Sequence, residues 1–149
     1  MKKTLDAVNS LFSSVFYDII KLEEKFFKKS RFKDISIKEV RTIEAIGLND
    51  IKSMTTVAKK LNITVGTLTV SISNLQKKGY VIKEKSTKDK RVVTIKLTEK
   101  GKALFKAHQK FREKIMQEII LELTKQEAEI FNGTLNRVSK ILNEQFVNG

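Results

Sequence analysis

Two short helix patterns meet at a tight break in residues 53–79, which read SMTTVAKKLNITVGTLTVSISNLQKKG. Ser53 is an N-cap candidate for the first pattern, whose inward face is formed by Val57, Ala58 and Leu61. Asn62 and Ile63 interrupt that pattern, and Thr64 is placed to cap a second helix that ends at Gly79. The stretch therefore predicts two helices joined by a short turn.

The second pattern is ambiguous by local rules. Residues 67–73 alternate between polar and apolar side chains and are rich in β-branched types, which is typical of a strand. Residues Val65, Leu68, Ile72 and Leu75 nevertheless follow the 3,4,3 spacing of one helix face. The cap, the glycine stop and the neighbouring helix favour a helix over 65–78. Its intrinsic propensity is low, so packing must stabilise it.

Two strands are predicted next, over residues 80–84 and 92–97, from alternating apolar side chains. The segment between them, KSTKDKR at 85–91, is a polar and strongly basic hairpin loop. Thr98 then caps another helix. Two short helices followed by a basic hairpin indicate a mainly α fold, a winged helix-turn-helix with a two-stranded β-wing.

The outer segments carry long apolar stripes. In residues 5–26, apolar side chains recur at 3,4 spacing over three heptads, and residues 128–142 repeat this pattern. Between them, Ser36 and Glu39 have the spacing of a capping box for a helix that stops at Gly47. The terminal stripes exceed what one small domain needs, so we expect N- and C-terminal dimerisation helices and a homodimer.

The charge of the chain points to a polyanionic partner. The sequence has 149 residues and a formal net charge of +13. Residues 51–100 contain 12 basic and 3 acidic side chains, so most of the excess lies in the winged segment. Duplex DNA is the expected partner. A basic RNA-binding or membrane-surface protein is the alternative, against which the order of the elements argues.

Composition excludes several classes of site. The chain has no cysteine and one histidine, so thiol catalysis, disulfides and metal sites built on cysteine or histidine are not expected. With no glycine-rich phosphate loop or catalytic triad, we expect no enzyme and no cofactor. The sequence lacks an apolar run near 18 residues and a signal-peptide pattern, and it is expected to be cytoplasmic.

Candidate DNA-binding residues lie on the outer face of the second helix and on the hairpin loop. Hydroxyls and amides can bond base edges or phosphates, glycine permits close approach, and a valine can contact a thymine methyl group. Asp89 is placed to pair with the Arg91 guanidinium and direct it towards the minor groove. The predicted set is Ser53, Thr64, Val65, Gly66, Thr67, Thr69, Val70, Ser73, Asn74, Lys77, Lys88, Asp89, Lys90 and Arg91.

The motifs in these segments resemble the MarR family of bacterial repressors. The D-x-R sequence at 89–91 and the L-T-x-x-G sequence at 97–101 are specific in combination. The resemblance implies a single domain over 1–149, with the DNA-binding module at 36–100 and dimerisation helices at 1–30 and 101–149. Residues 30–39 and 64–67 are similar to the subgroup that represses fatty-acid synthesis operons, whose corepressor is long-chain acyl-acyl carrier protein.

The single histidine, His108, projects from the apolar stripe of the helix that follows the wing. One interpretation is a buried histidine satisfied by a hydrogen bond. The resemblance favours the other, in which His108 and Phe111 contribute to an effector site. An alternative effector is a small aromatic or other lipophilic ligand that releases the repressor from DNA, and the sequence does not decide between the two.

Overall fold

The computed structural model describes residues 1–147 of the chain. Within them, helices make up most of the fold and three short strands form one sheet. The elements, in chain order, are α1 (Lys2–Lys29), α2 (Ile37–Ile46), β1 (Lys52–Ser53), α3 (Met54–Leu61), α4 (Val65–Lys77), β2 (Val81–Lys85), β3 (Val93–Leu97), α5 (Glu99–Leu121), α6 (Lys125–Leu142) and a π-helical turn (Asn143–Val147).

Side-chain caps begin the short helices where the sequence predicts them. The hydroxyls of Ser36, Ser53 and Thr64 each accept a hydrogen bond from the backbone N–H three residues later. At Ser36 the capping box is complete, because Glu39 accepts from the Ser36 N–H at 2.8 Å. The segment with mixed strand and helix patterns is the helix α4, as predicted.

The sheet has one more strand than the predicted two-stranded wing. It is antiparallel in the order β1-β3-β2, with Lys52 opposite Ile95 and Ser53 opposite Thr94. The expected strands 80–84 and 92–97 are present as β2 and β3. Two residues are too few to show an alternating pattern, and Ser53 is also the cap of α3, so β1 left no separate signal in the sequence.

The chain forms two compact units, Met1–His108 and Gln109–Gly149, of which the second is described to residue 147. The apolar core of the first unit lies between α2, α3, α4, the sheet and the first turns of α5. Its fully buried members include Val40, Ile43, Ile46, Val57, Leu68, Ile72, Leu75, Tyr80, Ile95 and Leu104.

The inward face of α4 differs from the predicted one at a single position. Leu68, Ile72 and Leu75 are fully buried, whereas Val65 is 44% exposed. Val65 is the first residue of the helix, where the chain has only just left the turn after α3. It therefore lies on the surface beside the other predicted DNA-binding residues.

The apolar stripe of α1 is uncovered within one chain. From Leu5 to Leu22, its large apolar side chains are 37–67% exposed. On α6, Phe131, Leu135 and Leu142 are exposed as well. These two faces retain the apolar surface that the sequence assigns to dimerisation.

Gly101 allows α5 to begin directly against the sheet. Its N–H donates to Thr98 Oγ1 at 3.1 Å, and a Cβ at this position would clash with the carbonyl oxygen of Tyr80. Gly133 in α6 has no neighbour that a Cβ would meet. The glycine of the L-T-x-x-G motif is thus required by backbone packing.

We expect Gly101→Ala to lower the free energy of unfolding by about 1–3 kcal/mol, because backbone must move to admit the methyl group. Gly133→Ala is the matched control, and it should raise stability by up to about 1 kcal/mol through helix propensity. Urea denaturation followed by circular dichroism measures both. A stabilising effect of both substitutions would contradict the packing argument.

Candidate nucleic-acid interface

The first turns of α3 and α4 and the wing strands enclose a groove of about 280 Å³. Four of the predicted DNA-binding residues, Ser53, Val65, Thr69 and Arg91, line it together. Residues separated by up to 38 positions in sequence thus meet at one surface. This surface combines two helix N-termini with a cationic side chain.

Most of the predicted residues on α4 are accessible. Thr67, Thr69, Asn74 and Lys77 are exposed, and Val70 is 64% exposed. Only Ser73 is half-buried. The outer face of α4 therefore presents hydroxyl, amide, ammonium and methyl groups, which suit base edges and phosphates in the major groove.

The two helix N-termini have matching hydroxyl pairs. Ser53 Oγ lies 2.8 Å from Thr56 Oγ1, and Thr64 Oγ1 lies 2.9 Å from Thr67 Oγ1. Because Ser53 and Thr64 are occupied as caps, their main contribution is to fix where the helices begin. Positive ends of helix dipoles at these sites favour a phosphate.

At the wing tip, hydrogen bonds to Asp89 fix the direction of the Arg91 side chain. Arg91 Nε donates to Asp89 Oδ1 at 3.1 Å and Arg91 Nη2 donates to Oδ2 at 3.2 Å, while the Arg91 side chain stays 91% exposed. These hydrogen bonds hold the pKa of Asp89 below its ordinary value. The predicted pair is confirmed, and the guanidinium keeps free edges for a nucleic acid. Lys88 and Lys90 are exposed on the same loop.

Five of the residues that line the groove are not in the predicted set, and two of them, Lys83 and Thr55, are polar. Lys83 lies in β2 opposite Ile95, and Thr55 lies in the first turn of α3. Both line the groove with Arg91. The predicted cations were Lys77 on α4 and those of the hairpin loop, and the strand lysine Lys83 was not among them.

Polar contacts fix the far end of α4. Lys78, its C-cap residue, donates to Glu39 Oε2 at 2.8 Å and to the carbonyl oxygen of Asp34 at 2.6 Å. Tyr80 Oη donates to Asp34 Oδ1 at 2.5 Å. Burial and this hydrogen bond raise the pKa of Tyr80. Burial raises the pKa of Asp34, but the Tyr80 bond and Lys100 outweigh it and leave that pKa lowered.

The predicted effector residue His108 lies in a partly buried polar cluster. It is 1% exposed, with Nε2 at 2.9 Å from Glu23 Oε1 and Nδ1 at 3.1 Å from Glu44 Oε1. Arg41 lies at 3.1 Å from the second oxygen of each glutamate. The cluster joins α1, α2 and α5. Phe111, the other predicted effector residue, is partly buried and belongs to the second unit.

Two classes of site are absent from residues 1–147. No group of three or more His, Asp or Glu side chains there is arranged to hold a metal ion. None of the helices in that range has the length and apolar character needed to cross a membrane.

Comparison with a family model identifies the chain's relatives. The model for the transcriptional regulators SarA/Rot matches residues 22–108, more than half of the chain. The matched segment contains α2 to β3 and both helix N-termini of the groove.

Individual relatives agree with that match. One similar chain is Streptococcus pneumoniae FabT, from a crystal structure in complex with DNA. The two sequences are 34% identical, the TM-score is 0.90, and the alignment covers 93% of this chain and 97% of the FabT chain. The regulator SarZ of Staphylococcus aureus is 28% identical over 83% of this chain and 80% of SarZ. An uncharacterized regulator of Bacillus subtilis, YdgJ, is 25% identical over 61% of this chain, and the match spans only 56% of YdgJ.

These relatives are transcriptional regulators and not enzymes, as the composition predicted. The winged fold is shared with a protein solved on DNA. The chain therefore belongs to the SarA/Rot family of transcriptional regulators, and it is a DNA-binding regulator with the winged-helix fold of the MarR family.

Proposed function

We propose that the protein is a homodimeric, sequence-specific repressor of fatty-acid synthesis genes, with long-chain acyl-acyl carrier protein as corepressor. The observation that carries this proposal is the likeness to FabT over nearly the whole length of both chains. The motifs at residues 30–39 and 64–67, similar to the fatty-acid repressor subgroup, support it.

In this proposal residues 36–100 are the DNA-binding module. The outer face of α4 enters the major groove, and Arg91 at the wing tip reaches the adjacent minor groove. Lys83 and Thr55 extend the interface to the phosphate backbone between these two contacts, because both line the groove beside Arg91. Residues 1–30 and 101–149 supply the dimerisation helices.

The proposed dimer should be stable at micromolar concentration. The exposed stripe of α1 contains several large apolar side chains, and each is worth about 1.5–3 kcal/mol when it is fully buried. Light scattering of the wild type is expected to give the mass of two chains. Val15→Glu should shift that mass towards one chain, whereas Lys59→Glu on the exposed surface of α3 should not. A wild-type monomer would contradict the assignment.

Palmitoyl-acyl carrier protein should tighten operator binding, and the unacylated carrier should leave it unchanged. The physical reason is that a long alkyl chain contributes about 0.8 kcal/mol for each methylene group that it buries. It shifts the repressor towards the conformation that binds it best. A mobility-shift assay on the protein's own promoter, with each form of the carrier, measures the effect.

The outcomes separate two kinds of repressor. Release of DNA by millimolar salicylate, with no response to the acylated carrier, would replace the fatty-acid assignment by a repressor that responds to small aromatic ligands. Equal operator affinity with and without palmitoyl-carrier would remove the corepressor from the proposal, and the DNA-binding function would stand.

A further inference from the structure

A second groove, of about 450 Å³, lies where α1 ends and α2 begins. Its apolar lining comes from three successive segments, with Phe27 in the last turns of α1, Ile35 in the connection and Ile37 in the first turn of α2. Phe27 is buried, and the two isoleucines are partly exposed. The volume lies in the range of ligand pockets, and the lining suits an alkyl chain.

Lysines surround this apolar lining. Lys28, Lys33 and Lys38 line the groove from the same three segments, and all three are exposed. Among residues 1–147 none of the three ammonium groups has a carboxylate partner, whereas Lys78 and Lys100 are both paired with carboxylates. Glu24 is the one acidic residue in the lining. Three lysines without carboxylate partners thus surround an apolar surface. This arrangement fits a ligand that has an alkyl chain joined to a negatively charged group.

The lining is in contact with the partly buried polar cluster of His108, Glu23, Glu44 and Arg41. The Phe27 ring lies 5.5 Å, centroid to centroid, from the His108 ring. Because that cluster joins α1, α2 and α5, a chain that displaces Phe27 would act on the contact between these helices.

We propose that this groove, which we name the lysine-rimmed groove, binds the long-chain acyl thioester of an acidic carrier protein. The alkyl chain lies on Phe27, Ile35 and Ile37, and the three lysines receive the phosphate-bearing arm and acidic surface of the carrier. The concave shape suits one chain in each groove and not a flat bilayer. This inference rests on the proposed function, since it assigns a location to the proposed corepressor.

The test reverses the charge of the rim. The variant Lys28→Glu/Lys33→Glu/Lys38→Glu should weaken binding of palmitoyl-acyl carrier protein, measured without DNA by fluorescence anisotropy, by at least about tenfold. The matched control Lys106→Glu/Lys110→Glu/Lys114→Glu makes the same change in net charge on exposed positions of α5, and its affinity should change by less than about threefold. Octanoyl-carrier should bind the wild type more weakly than palmitoyl-carrier does.

Operator binding, measured in parallel, separates the inference from the proposed function. If palmitoyl-carrier tightens operator binding equally in the wild type and the rim variant, the groove assignment is overturned and the corepressor stands. If the rim variant loses carrier binding but palmitoyl-carrier never alters operator affinity, the groove holds and the corepressor role fails. Equal binding of the unacylated carrier, or rim-dependent binding to vesicles of anionic phospholipid in place of the carrier, would also overturn the assignment.

Discussion

Replacement of Glu23 by alanine should lower the free energy of unfolding by about 1–3 kcal/mol, because it leaves a buried polar side chain without one of its hydrogen-bond partners. Glu23 is 3% exposed and accepts from Arg41 at 3.1 Å. It also lies 2.9 Å from His108 Nε2. Its loss leaves the His108 ring without this partner where water does not reach it. The same substitution removes the polar contacts through which Glu23 links α1 to α2 and α5.

The neighbouring residue provides the control. Glu24 is exposed on the same helix, and Glu24→Ala should change stability by less than about 0.5 kcal/mol. Glu23→Gln, which keeps the shape but not the charge, should fall between the two. Urea denaturation at neutral pH measures all three. Equal stability of the Glu23 and Glu24 variants would show that the cluster contributes little.

The cluster also limits how His108 can act. Each ring nitrogen lies within hydrogen-bonding distance of a carboxylate oxygen, from Glu23 on one side and Glu44 on the other. An effector that bonds the ring has to displace one of these two glutamates. The proposed effector role of His108 is therefore coupled to the contact between α1, α2 and α5.

Local signals were sufficient to predict the helices. Ser36, Ser53 and Thr64 cap their helices in the structure because the cap needs only a hydroxyl and the next three residues. For α4, the cap at Thr64 and the stop at Gly79 predicted a helix correctly, although the β-branched composition is typical of a strand. The burial of Leu68, Ile72 and Leu75 supplies the packing that its low propensity requires.

Contacts between distant residues were not predictable from local patterns. Glu23 and His108 are 85 positions apart, and neither residue's neighbours reveal the other. One signal was available, because Glu23 interrupts an apolar face four residues after Ile19 and four before Phe27. An acidic residue at such a position needs a buried partner. β1 had no comparable signal, since its two residues pair with β3 across more than 40 positions.

Arg91→Ala should weaken operator binding by at least about tenfold, because each lost contact of this kind costs about 1–3 kcal/mol. The side chain is held by Asp89 yet is 91% exposed, so it is already oriented before DNA arrives. If the contact is to phosphate, the salt dependence should become shallower by about one released counterion for each wing. Lys114→Ala, which removes one positive charge from α5, should leave both quantities nearly unchanged.

Asp89→Ala separates the direction of the guanidinium from its charge. The variant keeps the cation, so the salt dependence should not become shallower, but the preference for operator over unrelated DNA should fall. The hydrogen bonds lower the pKa of Asp89, so the pair is lost only as pH falls through that lowered value, and operator binding near neutral pH should not respond to this group. Both effects are measured by fluorescence anisotropy over a series of salt concentrations.

Unchanged affinity and unchanged salt dependence in Arg91→Ala would show that the wing does not contact DNA, and the major-groove face of α4 would then have to supply the specificity.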